Sequence, residues 1–184
     1  MAAENQSASD LPELEPFDPS LDHFARLGLE RGWKLDRDVL EQRYLERSRR
    51  HHPDRFVAAD ASTRRAALEH SSAINTAHRT LRDPVARAEY LVKLGGIDLD
   101  SSDPDTGAPR PEQSFLIEMI ERREQLEGAA PSKRDALRDE IEAEIDEVFD
   151  RALAALERAD IRAAAAALVH RRYLDRFLNE LDNG

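Results

Sequence analysis

The 184-residue sequence predicts an all-α protein of two domains. Three observations carry this. Apolar residues recur at helical spacing in most segments, and alternation suited to a strand never extends over five positions. Residues that start and stop helices bracket those segments. A single stretch, residues 96–111, is rich in Asp, Ser, Gly and Pro and separates a first set of helices from a second.

Taken in order, residues 1–16 carry four acids, no base and few apolar side chains, which predicts a disordered acidic tail. Phe17 to Gly28 predicts a short helix with Leu21, Phe24 and Leu27 at helical spacing. Asp36 is placed to cap a second helix reaching about Arg50, with Val39, Leu40 and Tyr44 on its inner side. Ser62 is placed to cap a third, reaching about Arg82, whose stripe is Ala67, Ile74, Ala77 and Leu81. Asp83-Pro84 reads as cap and first residue of a helix that buries Ala88, Leu91 and Val92 and ends at Gly95-Gly96. Beyond the 96–111 linker, helices are predicted over 112–126, 132–158 and 160–181. Leu137, Ile141, Ile145, Val148, Phe149, Ala152 and Leu156 form the inner stripe of the middle one. Short loops between three helices imply an antiparallel bundle.

Composition narrows the function. A net charge of −11 argues against general nucleic-acid binding, which depends on basic surface. The charge is uneven: residues 17–95 hold 15 basic and 12 acidic side chains, and residues 96–184 hold 12 and 22. A basic first domain and an acidic second suggest two surfaces for two partners. With no cysteine, disulfides, thiolate chemistry and cysteine-ligated zinc are excluded. No stretch approaches the ~20 apolar residues of a membrane span, and the N-terminus lacks the basic start and apolar run of a secretory signal. A cytoplasmic protein without membrane contact is the expectation.

The most informative feature is His52-Pro53-Asp54, which follows the basic run Arg47-Ser48-Arg49-Arg50-His51. Pro53 disfavours helical backbone at the residue before it, so the second helix should stop at His51 or His52 and the chain should turn there. The turn presents an imidazole, a rigid ring and a carboxylate, a set suited to docking on a partner's arginine. The alternative is a plain connection in which Asp54 caps the next element. Arg43, Arg47 and Arg50 share one side of the second helix, either as a patch for an acidic partner or as a solvated face partly paired with neighbours such as Glu46. His51, His52, His70 and His78 lack the spacing of a zinc site, and no phosphate loop, nucleophile elbow or triad is present. No metal, cofactor or catalytic residue is expected.

The second domain carries more apolar surface than one bundle face needs. In helix 112–126, Phe115, Met119 and Leu126 form the core stripe, with Arg122 on the same side. Leu116, Ile117 and Ile120 lie elsewhere, beside Glu121 and Glu124. The last helix repeats the excess with Val169, Tyr173 and Phe177 beside Leu174, Leu178 and Leu181. An exposed apolar patch rimmed by charge marks a partner site, although a three-helix bundle also buries wide stripes.

These residues carry a resemblance. The stretch Leu21 to Asp100, with Phe24, Leu27-Gly28-Leu29, Tyr44, His52-Pro53-Asp54-Arg55-Phe56, Ile74-Asn75, Leu81-Arg82-Asp83-Pro84, Arg87-Ala88-Glu89-Tyr90-Leu91 and Gly95, resembles the J-domain of the iron–sulfur co-chaperone HscB (Hsc20) family. The Arg-Ala-Glu-Tyr-Leu segment is its specific part, and the likeness continues more weakly through the second domain. The resemblance implies an L-shaped protein, with a J-domain over 17–95 and a scaffold-binding domain over 112–184. It implies that His52, Pro53 and Asp54, supported by Arg43, Arg47 and Arg50, contact an HscA/DnaK-type chaperone and stimulate its ATPase. It implies that Leu116, Ile117, Ile120, Glu121, Arg123, Glu124 and Tyr173 bind the IscU-type scaffold. Tyr173 stands where the family commonly has Phe. A general J-domain adaptor with another client, and a small helical enzyme using the histidines with Asp54, are the readings to be separated from this one.

Overall fold

A computed structural model describes residues 14–183. Among these residues all regular structure is helical apart from one isolated bridge, Asp98 to Gly107. The chain forms two compact units that divide after Arg87, and residues 88–111 group with the second.

The first unit begins with α1 (His23–Leu27). It is shorter than the helix expected over 17–28. The Asp18 carboxylate accepts from the amide and hydroxyl of Ser20, tightening a turn at Pro19. The helix starts only where Asp22 caps it by accepting from the amide of Ala25. Gly28 ends it at φ +67°, where a side chain would be strained. Asp36 caps α2 (Arg37–Arg50) as expected. Its inner side is Leu40, 1 % exposed, whereas Val39 faces outward at 40 %. A 3₁₀ turn (Pro53–Phe56) leads to α3 (Ala61–Arg82), whose cap is Asp60 rather than Ser62. The Asp60 carboxylate accepts from the amides of Ser62 and Thr63 and from both hydroxyls, which holds its pKa well below the usual carboxylate range. Ala67, Ile74, Ala77 and Leu81 are buried, and α1 and α2 both pack on α3. Asp83 accepts from the amide of Ala86 to open α4 (Pro84–Leu94).

The second unit contains the C-terminal part of α4, then α5 (Gln113–Leu126), α6 (Pro131–Glu157) and α7 (Ile161–Asn183). Phe115, Met119, Leu137, Ile141, Ile145, Val148, Leu174, Phe177 and Leu181 share one core. The α7 excess is therefore core: Val169, Leu174, Phe177 and Leu181 are buried, and Tyr173 and Leu178 pack on it. Phe149 and Leu156 are only half-buried. At Gly95 a Cβ would lie 2.7 Å from the Ile161 side chain, so the end of α4 meets the start of α7 only because it carries none. The expected linker is a knitted loop. Asp98 donates its amide to Thr106 O at 2.7 Å, and the Asp103 carboxylate accepts from the amides of Asp105 and Thr106.

An arginine fork ties this unit together. Arg172 donates to both carboxylate oxygens of Glu89 at 2.6 and 2.9 Å, to Leu99 O at 3.1 Å and to Asp100 at 2.8 Å. The Glu89 carboxylate holds the guanidinium above its ordinary pKa. Bidentate, partly desolvated pairs are the strong class of ion pair. Arg172→Ala should therefore destabilise the protein by about 2 kcal/mol, because it strands Glu89 and removes several charge-assisted bonds. A urea midpoint within error of the parent would show that solvent replaces the fork at no cost.

Candidate functional site

The His-Pro-Asp turn forms as the sequence requires. His52 takes extended backbone before proline, φ −65° and ψ 128°. Its Nδ1 accepts from the amide of Asp54 at 3.3 Å, and its carbonyl accepts from the amide of Arg55 at 3.0 Å. The Asp54 side chain is 86 % exposed, with one oxygen 3.6 Å from His52 Nδ1. It caps nothing, because His52 caps the 3₁₀ turn and Asp60 caps α3. That removes the reading of Asp54 as a local cap and leaves a carboxylate open to a partner's cation.

The arginines of α2 divide by role. Arg43 lies 3.3 Å from Glu46 and Arg50 lies 3.1 Å from Glu15, with both guanidinium groups about half exposed. Such surface pairs contribute little and exchange readily for other partners. Arg47 is half-buried: its guanidinium lies 3.2 Å from where a Gly28 Cβ would sit, and its carbonyl accepts from the amide of His51 at 3.0 Å.

His51, His70 and His78 are packing groups. His51 is 5 % exposed, packs at a tilt against His70 with centroids 4.6 Å apart, and bonds Arg47 O through Nδ1 at 2.9 Å. His78 stacks on Tyr44 at 4.0 Å and meets Glu41 at 2.9 Å. Among the described residues no group of three or more His, Asp or Glu side chains is placed to hold a metal ion. Burial is the leading cause that lowers the pKa of His23, His51 and His170 from the ordinary 6.5. The unfolded chain therefore binds protons below pH 6.5 that the folded chain refuses. The histidine contribution to stability should be full above that pH and fall as the pH drops through it, until the folded groups also titrate. Urea midpoints at neutral and mildly acidic pH test the sign, and a midpoint that rises on acidification would contradict it.

On α5 the division into core and surface follows the expectation except at Leu116, which was expected in the exposed patch and packs on the core. Phe115 and Met119 are buried, Leu116 and Leu126 pack on the core from its edge, and Ile117 and Ile120 are 48 % and 54 % exposed. Among the described residues of the second unit these two are the large apolar side chains left in solvent. Glu121 and Glu124 flank them, also exposed. Two other expected members are engaged within the protein. Arg123 forms a fork with Glu180 of α7 at 2.8 and 3.0 Å, which raises its pKa. Tyr173 packs edge-on to Phe115 at 5.8 Å, with the Arg176 guanidinium 4.5 Å from its ring centre. The buried Arg122 lies 2.7 Å from both Glu118 and Glu144 and is structural.

Sequence reasoning missed residues whose partners lie far away in the chain. Arg87 lies over the Trp33 ring at 4.5 Å and donates to Leu81 O at 2.7 Å. Together with Glu89 it gives the Arg-Ala-Glu-Tyr-Leu segment a structural purpose. The signal available was that segment itself; its partners lie 54 and 83 residues away in the chain.

A helical hairpin with an exposed His-Pro-Asp turn, followed by a helical second unit, defines the class of two-domain J-domain proteins. Comparison with known proteins narrows the class. Residues 111–182 match the family described as the HSCB C-terminal oligomerisation domain. The chain is 34 % identical over 165 residues to the co-chaperone protein HscB homolog of Neisseria meningitidis serogroup C, covering 88 % of this chain and 97 % of that one. It is similar in structure to chaperone HscB from Vibrio cholerae (TM-score 0.70, 27 % identity, 89 % and 96 % covered). It is likewise similar to human co-chaperone protein HscB (TM-score 0.76, 28 % identity, 92 % and 85 % covered). This chain belongs to the HscB co-chaperone family. Its relatives are named co-chaperones rather than enzymes, and no helix among its described residues is long and apolar enough to cross a membrane.

Proposed function

We propose that this protein recruits an IscU-type iron–sulfur scaffold to an HscA/DnaK-type chaperone in the cytoplasm and stimulates that chaperone's ATPase, assisting cluster transfer. The observation that carries the reading is the open Asp54 carboxylate at the head of the α2–α3 hairpin, in a chain of this family that also leaves Ile117 and Ile120 in solvent. Asp54 would accept from an arginine of the chaperone, with His52 and Pro53 fixing its place and Arg43, Arg47 and Arg50 accelerating encounter. The J-domain role falls to residues 17–95 and scaffold binding to 112–184. Leu116, Ile117 and Ile120 would bury against the scaffold, rimmed by Glu121, Arg123, Glu124 and Tyr173. Arg123 takes part only if Glu180 shares or releases it, and Tyr173 carries the Arg176 guanidinium over its ring.

The protein has no chemistry of its own in this account. It works by coupling: holding both partners at once raises the local concentration of scaffold at the chaperone. Calorimetric titration of the full chain with an apo IscU-type scaffold tests the less general half. Saturable binding is expected. Absence of binding by a folded protein would leave a J-domain adaptor with a different client.

A further inference from the structure

Residues 14–17, expected to be the end of a tail and the start of a helix, are neither. Leu14 packs on the cluster of Phe56, Ala59 and Ala67. The Glu15 carbonyl lies 3.0 Å from Nε2 of His70, and the Glu15 carboxylate lies 3.1 Å from Arg50. Pro16 restricts the backbone between them. Phe17 meets the His70 ring edge-on at 5.3 Å and carries the Arg26 guanidinium at 4.8 Å.

The targets of these contacts are the two flanks of the His-Pro-Asp turn. His51 immediately precedes the motif, is buried, and packs at a tilt against the same His70 that bonds Glu15. Phe56 follows Asp54 by two residues, is 1 % exposed, and shares its cluster with Leu14. Between these anchors the motif has weak local support: His52 and Asp54 are 53 % and 86 % exposed, and the bond between them is 3.3 Å long. The acceptors also fix the protonation. Carbonyl oxygens only accept, so Nδ1 of His51 and Nε2 of His70 each carry a hydrogen.

We propose that Leu14–Phe17 is a strap that grips both flanks of the His-Pro-Asp turn and holds it ready for its partner, with Leu14 and His70 as positioning residues. The functional half of this proposal rests on the reading of that turn as the chaperone contact. A turn held in its bound form loses less conformational entropy on docking. Loosening the strap should therefore weaken docking without altering what a docked turn does.

The test uses the full chain and the variants Leu14→Ala, His70→Ala and His70→Gln, the last retaining an N–H donor. Amide hydrogen exchange reads the mechanics without any partner. The amides of Arg55 and Ala59, bonded to His52 O and Phe56 O, should exchange roughly tenfold faster in Leu14→Ala and His70→Ala, with Ile74 and Leu81 of the α3 core unchanged. His70→Gln should recover part of the protection. In the ATPase assay, the concentration giving half-maximal stimulation should rise roughly three- to tenfold while the maximal stimulation stays the same. Unchanged exchange at Arg55 and Ala59 would overturn the strap. Faster exchange with an unshifted half-maximal concentration would overturn its positioning role, as would a loss of maximal stimulation alone. If the parent protein itself gives no stimulation, the chaperone reading fails and exchange alone decides the strap.

Discussion

Asp54→Asn should abolish stimulation of the DnaK-type ATPase while leaving fold and scaffold binding intact. The substitution is nearly isosteric and removes only the charge. At 86 % exposure, with no cap to lose, the side chain contributes little to stability, so the change should lie within about 0.5 kcal/mol. A charge-assisted bond to a partner's arginine is a different matter: its loss costs about 1.5–3 kcal/mol, roughly ten- to a hundredfold in affinity. Stimulation at ordinary concentrations then disappears. If Asp54→Asn stimulated as the parent does, the carboxylate would not be the contact, and the most informative residue of the turn would have been misassigned.

The paired change Ile117→Ala with Ile120→Ala should do the reverse, removing scaffold capture and sparing ATPase stimulation. Both side chains lie about half in solvent, so truncation opens no cavity in the bundle. Anchors at the centre of an interface each cost more than 1 kcal/mol when truncated, which for the pair gives binding weaker by roughly thirtyfold or more. Titration calorimetry with the scaffold reads this directly. Two folded variants that each lost both activities would contradict the assignment of separate surfaces.

Local signals were legible in part. Pro53 fixes the backbone of His52, and the caps at Asp36 and Asp83 lie beside the helices they start, whereas the start of α1 at Asp22 and the Asp60 cap of α3 were not read. The sorting of α5 into buried Phe115 and Met119 and exposed Ile117 and Ile120 follows from spacing alone. Distant pairing was not legible. Arg172 looks like any surface base on a wheel of α7, and its role appears only when Glu89 and the 98–100 loop fold against it. Spacing overcounted free apolar surface on α7, because a core shared by three helices takes in Leu174, Phe177 and Leu181 together, and Val169 is buried as well. Leu14–Phe17 has no period to detect. Acidic composition pointed to a tail, yet its anchoring depends on a backbone carbonyl and on side chains 35 to 55 residues away. The remaining acidic residues of the tail, Glu4, Asp10 and Glu13, lie outside the described residues.

The central claim is coupling between two partners, and steady-state ATP turnover of the HscA-type chaperone measures it most directly. Turnover is followed as this protein is added, with and without the IscU-type scaffold. Stimulation by this protein alone is expected, with a further rise when the scaffold is present. Stimulation indifferent to scaffold would contradict the coupling, and no stimulation under either condition would contradict the assignment of the His-Pro-Asp turn itself.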